Sequence, residues 1–126
     1  MRLYEIAGVS QQVLDQVEAY ADKLFAKVGV NVEFTRHFLD RLNDERGQQN
    51  PISSAELIKL FRDVYRKYGK EIANLPNETQ SVIKDMNTDI NMPFVLNWTK
   101  GGRADLVAKT ILRKADFKTS NKEFKV

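Results

Sequence analysis

MPFVLNWTKGGRADLVAKTILR, residues 92–113, reads as two strands around a glycine turn, and the architecture of the chain follows from it. Met92 to Trp98 is rich in apolar and aromatic side chains. Pro93 stands near its start, where a strand tolerates a residue that cannot donate to the ladder. Thr99 to Arg103 holds Gly101 and Gly102, the residue type that tight hairpin turns favour. From Asp105 to Arg113 the side chains alternate. Leu106, Ala108, Thr110 and Leu112 fall on one face, and Val107, Lys109, Ile111 and Arg113 on the other. An antiparallel hairpin is therefore expected in the last third of the chain. Ser81 to Met86 fits helix or strand, and Phe117 and Phe124 are expected to pack the tail back onto the domain.

Upstream the hydrophobic period becomes helical. Ser53 followed by Glu56 is a capping box. It opens a helix in which Leu57, Ile58, Phe61, Val64, Tyr65 and Tyr68 form one apolar face, with Gly69 at its expected end and a further turn over Lys70 to Leu75. Gly47 to Pro51 is a loop on composition. Before it, Thr35 caps a second helix running to about Arg46, with Phe38, Leu39 and Leu42 as its stripe. Val30 to Phe34 is a very short strand or an extended link. Ser10 opens the first helix, in which Val13, Leu14, Val17, Ala21, Leu24, Phe25 and Val28 share a face, and Gly29 stands where a left-handed cap belongs. The expectation is one α+β domain over 1–126: three N-terminal helices (within 1–75) packed on a small C-terminal antiparallel β-sheet (80–126).

Composition narrows the function classes. The chain has 126 residues, 42% hydrophobic and 29% charged, as in an ordinary globular domain. It has no cysteine, which excludes disulfides and thiolate metal sites, and its single histidine makes zinc improbable. No apolar run suffices to span a membrane, and Met1 to Val9 lacks the layout of a secretion signal, so the expected compartment is cytoplasm. The net charge of +3 is uneven: from Trp98 to Val126, eight Lys and Arg stand against three Asp and Glu. A basic tail points toward nucleic acid more than the total does.

His37 lies on the second helix with Arg41 one turn later, both on the shoulder of the apolar stripe. A half-buried imidazole beside a guanidinium is expected to lose proton affinity and so to suit a general base; the bland alternative is a histidine that caps or packs. Lys109 and Arg113 share a strand face about 13 Å apart and are placed to grip successive phosphates, the alternative being a solvated sheet face. Trp98, Tyr65 and Tyr68 are candidates to stack bases, though such aromatics are more often core. Asp85, Asn87, Asp89 and Asn91 imitate a calcium loop, but Ile90 and Leu96 occupy its glycine and glutamate positions, so a side-chain-capped turn is expected. No metal or cofactor site is expected. A helix-turn-helix regulator is disfavoured, because about nine residues separate the second and third helices where that motif uses three or four.

The segment His37-Phe-Leu-Asp-Arg41 to Arg46, followed by Ile52-Ser53-Ser-Ala-Glu56-Leu57, resembles the opening of small nucleases in the RelE/barnase/EndoU/colicin superfamily, including phage-borne members. Leu106 to Lys114 is similar to their strand ending in a threonine and a basic residue. The resemblance covers about residues 33 to 117 and implies a metal-independent endoribonuclease without cofactor, working in the (host) cytoplasm. It implies attack of the ribose 2′-hydroxyl on the adjacent phosphodiester. His37 would be base or acid, Arg41, Lys109 and Arg113 would stabilise charge, and Thr110 would position phosphate. Arg103 and Lys114 are the further expected nucleic-acid contacts. The expected partners are RNA and a protein partner or inhibitor. Strand alternation puts Thr110 opposite Lys109, so gathering all these side chains requires a bulge. The competing expectation is a non-catalytic phage accessory or structural module that binds nucleic acid or protein.

Overall fold

The computed structural model describes residues 11–42, 52–99 and 101–126. Its elements are α1 (Gln11–Ala26), β1 (Val30–Phe34), α2 (Arg36–Leu42), α3 (Ser54–Ala73), β2 (Thr79–Asp85), β3 (Ile90–Trp98), β4 (Ala104–Ala108), β5 (Leu112–Arg113) and β6 (Lys122–Lys125). The Ser10 cap, the second helix beyond Leu42, the Gly47 to Pro51 loop and Lys100 lie outside the described residues.

The class is α+β, with two corrections to the expected layout. The helices do not all precede the sheet, because β1 separates α1 from α2 and α3. The sheet is mixed: in the order β1-β4-β3-β2-β6, the inner pairs are antiparallel, but β1 runs parallel to β4 and β6 parallel to β2. Val30 and Val32 explain the first point, since both are buried and can only bury their side chains by joining the sheet. Ser81 to Met86 resolves as strand β2, whose 85–89 turn is capped by the Asp85 carboxylate accepting the Asn87 N–H at 2.9 Å.

The capping box of α3 is formed. The Ser53 hydroxyl accepts the Glu56 N–H at 3.1 Å, and the Glu56 carboxylate accepts the Ser53 N–H at 3.0 Å. The helix runs through Gly69 to Ala73 rather than stopping at the glycine. Gly69 is buried, and a Cβ there would lie 3.1 Å from the Tyr65 ring, so packing and not termination calls for glycine. The left-handed cap expected after α1 is present at Gly29, with φ +79°.

One face of the sheet carries the core. Leu14, Val17, Ala21 and Phe25 of α1 and Leu57, Phe61 and Val64 of α3 pack with Val32, Leu106, Leu96 and Ile83 of the strands. Phe124 is fully buried beside Tyr68 and Phe94, so the tail does fold back, while Phe117 is half-buried. β1 is an edge strand, and α1 covers that edge with carboxylates: Asp22 accepts the Val32 N–H at 2.9 Å and Glu18 the Phe34 N–H at 2.8 Å. Those bonds occupy donors that would otherwise template another strand. Among the described residues no helix is long and apolar enough to cross a membrane.

Candidate functional site

The return strand of the hairpin is broken by one extra residue. Phe94 stands opposite Ala108, and Asn91 opposite Leu112. Met92 and Pro93 therefore face Lys109, Thr110 and Ile111, a one-residue β-bulge. Pro93 is the physical reason. It has no N–H for the ladder, and only its carbonyl takes part, accepting the Lys109 N–H at 2.9 Å.

The bulge inverts the alternation beyond it. Ile111 is fully buried, and Arg113 turns to the helix side of the sheet, where it reaches α3. Lys109 and Arg113 consequently do not share a face, contrary to the simple strand reading. Thr110 and Leu112 likewise drop out of the Leu106–Ala108 core row and are half-buried.

What the bulge gains is a junction with α2. The Lys109 carbonyl, left without a partner opposite Pro93, accepts the Thr35 hydroxyl at 2.8 Å. The Thr35 N–H donates to the Ala108 carbonyl at 3.2 Å. The same hydroxyl accepts the Phe38 N–H at 3.0 Å, so one side chain caps α2 and docks it on the bulge. His37 sits two residues beyond that clamp and is exposed, not half-buried as expected, because Phe38 takes the inward direction. Arg41 is half-buried, Lys109 exposed and Thr110 half-buried. Replacing Thr35 with valine is expected to cost about 1–2 kcal/mol, from loss of the cap and an orphaned Lys109 carbonyl. Urea unfolding of the variant measures it.

Arg113 is bound into the structure. One guanidinium nitrogen donates to the Thr88 carbonyl at 2.8 Å and the other to the Glu56 carboxylate at 3.0 Å. Its side chain is 20% exposed and that of Glu56 27%, so the pair is largely sheltered. It joins β5, the β2–β3 turn and the start of α3. Burial pushes the Glu56 carboxyl up, but the bonds from Arg113 and Ser53 and the charge of Arg113 outweigh it and hold it below the ordinary 4.5. A lowered carboxylate contributes stability that is present above the ordinary value and lost as pH falls through the lower folded one. Glu56→Gln is expected to flatten that acid limb, as seen by thermal melts between neutral and acidic pH.

The remaining predicted contacts scatter. Arg103 is exposed in the hairpin turn and donates to Asn31 Oδ1 at 3.1 Å. Lys114 is exposed, and its backbone is held by Asp89 and Asn91. Of the aromatic candidates, Tyr65 and Tyr68 are half-buried: Tyr65 meets Phe25 edge-on and the Tyr68 hydroxyl donates to the Lys125 carbonyl at 2.9 Å, whereas Trp98 is exposed, with its indole donating to the Leu75 carbonyl at 2.7 Å. Two grooves of about 340 and 330 Å³ lie on the helical layer, and neither is lined by His37, Arg41, Lys109, Thr110 or Arg113. Among the described residues no group of three or more His, Asp or Glu side chains is disposed to hold a metal ion.

Comparison with protein-family models, curated proteins and solved structures finds no match to this chain. The site accordingly rests on its own geometry. Two participants carry no sequence signal for this role: Thr35, whose pattern encodes only a helix cap, and Glu56, whose pattern encodes only half of a capping box. Pro93 carried the available signal, since a proline inside a paired strand leaves a carbonyl opposite it in search of a donor.

Proposed function

We propose that the junction of α2 with the β4–β5 bulge is a phosphodiester site and that the chain is a metal-independent endoribonuclease. The observation that carries this is the Thr35 clamp, which ties the first turn of α2 to the backbone of Lys109. It brings the segment bearing the lone histidine to the segment bearing an exposed lysine and a threonine hydroxyl. Bulges recur beside active sites because they re-aim side chains.

In this proposal His37 takes the proton of the 2′-hydroxyl. The 2′ oxygen bonds to phosphorus as the bond to the 5′ oxygen breaks, and that leaving oxygen takes a proton from the Lys109 ammonium. Thr110 positions a non-bridging oxygen, and Arg41 offsets the developing charge. Arg113 has a different part from the one its sequence position suggested: through Glu56 and Thr88 it fixes the strand beyond the bulge. Purified protein in EDTA is expected to cut labelled single-stranded RNA to products ending in a 2′,3′-cyclic phosphate. Intact RNA after prolonged incubation counts against the assignment.

One observation favours a second reading, a non-catalytic module that binds nucleic acid or a protein partner. Arg113 is already satisfied within the fold, and Lys109 and Arg113 lie on different faces, so fewer cations converge than a nuclease would use. Expression in bacteria separates the two. An active ribonuclease impairs growth and its His37→Ala variant does not, whereas a binding module leaves growth unchanged in both forms.

A further inference from the structure

We infer that the groove where α1 ends beside the last turns of α3 is a second nucleic-acid contact, one that takes the sugar–phosphate backbone of single-stranded RNA away from the bulge. The groove encloses about 340 Å³ and is lined by Val28, Tyr65, Arg66, Lys67, Gly69, Lys70 and Glu71. Its charge is one-sided. Glu71, its only acid, is engaged by Lys122 at 3.2 Å. Arg66 and Lys70 are exposed and one helical turn apart, and no carboxylate among the described residues lies within ion-pairing distance of either. Lys27, exposed and next to Val28, adds a third cation without such a partner. Elsewhere on the same helix the pattern differs, since Lys59 is held by Asp63 at 2.8 Å.

The groove also has a floor and an aromatic wall. Tyr65 is half-buried, braced edge-on by Phe25 at 5.4 Å, and lies against the buried Gly69, where a Cβ would stand 3.1 Å from its ring. Cations along one groove suit a strand whose successive phosphates are neutralised there. Cations in the last turns of a helix also complement its dipole, but that requires no groove. The choice of RNA as ligand rests on the nuclease reading, while the groove itself does not.

The test uses fluorescence anisotropy with a single-stranded 2′-O-methyl RNA, which binds but has no free 2′-hydroxyl to react. Arg66→Gln/Lys70→Gln is compared with Lys59→Gln/Lys118→Gln, an equal charge change on exposed lysines that do not line the groove. The groove variant is expected to bind about 10-fold more weakly and to lose about 1.4 from the slope of log K against log salt, the amount for two phosphate contacts on a single strand. The control is expected to stay within about 2-fold. Equal weakening by both variants, or none by the groove variant, overturns the proposal. So does poly-glutamate displacing the RNA at matched charge, which would assign the groove to an acidic protein. Groove-dependent binding by a chain that never cuts RNA would sink the nuclease reading alone.

Discussion

Replacing His37 with alanine is expected to slow RNA cleavage by about 10²–10⁴-fold, the usual worth of a positioned general base or acid. The histidine is the only one in the chain, so no second imidazole can take over. It is exposed on α2, so the substitution should leave global stability within about 0.5 kcal/mol of the parent. Single-turnover cleavage measured beside a urea titration separates the two effects. Loss of activity with intact stability supports a chemical role. Full activity in a folded variant removes His37 from the mechanism and takes the proposed reaction with it.

Phe38→Ala should produce the largest loss of stability among residues near the site, about 3–5 kcal/mol. The ring is fully buried and stacks on Phe34 with centroids 4.4 Å apart. Phe34 in turn stacks on Phe61 of α3, so the three rings link β1, α2 and the long helix. The described part of α2, Arg36–Leu42, is 7 residues long, and isolated helices shorter than about 12–15 residues are marginal in water. Tertiary anchoring must hold it, and Phe38, Leu42 and the Thr35 clamp supply the anchors. Chemical unfolding gives the cost. A loss below about 1 kcal/mol would mean that α2 is held some other way and that its position against the bulge is less fixed than these contacts imply.

These two residues also show what the sequence could and could not reveal. Phe38 was legible as core and Thr35 as a cap because each works within its own helix, through spacing alone. The long helix was equally legible, its start written by Ser53 and Glu56. Its end is not, since Gly69 serves a contact with Tyr65 and glycine is also the commonest stop. The hairpin of β3 and β4 followed from alternation and two glycines. Of the edge strands, β1 matches the Val30 to Phe34 stretch that reads as a short strand or an extended link, β6 has no such signal, and the partners of both stay hidden. β1 is 5 residues long and β6 is 4, and each pairs in parallel with a strand distant in sequence, which leaves no turn signature between partners.

The candidate site was least legible where it depends on register. Strict alternation put Lys109 with Arg113, and the single extra residue opposite Pro93 separated them. A register change of one residue reverses the facing of every side chain beyond it, so a sheet-face site read from sequence is only as sound as the ladder. Arg113 illustrates the consequence. Read as a cation for phosphate, it became the partner of Glu56 once turned inward. Thr35 illustrates the converse, because its bond to the Lys109 carbonyl joins residues 74 apart in sequence, a link no local pattern encodes.

The most direct test of where the substrate sits is an amide chemical-shift titration of the labelled protein with a 2′-O-methyl RNA. The strongest perturbations are expected at Thr35, Arg36, His37 and Phe38 and at Lys109, Thr110 and Ile111, moving together along one binding curve. Saturation binding that leaves both segments unmoved would contradict the bulge junction as the site.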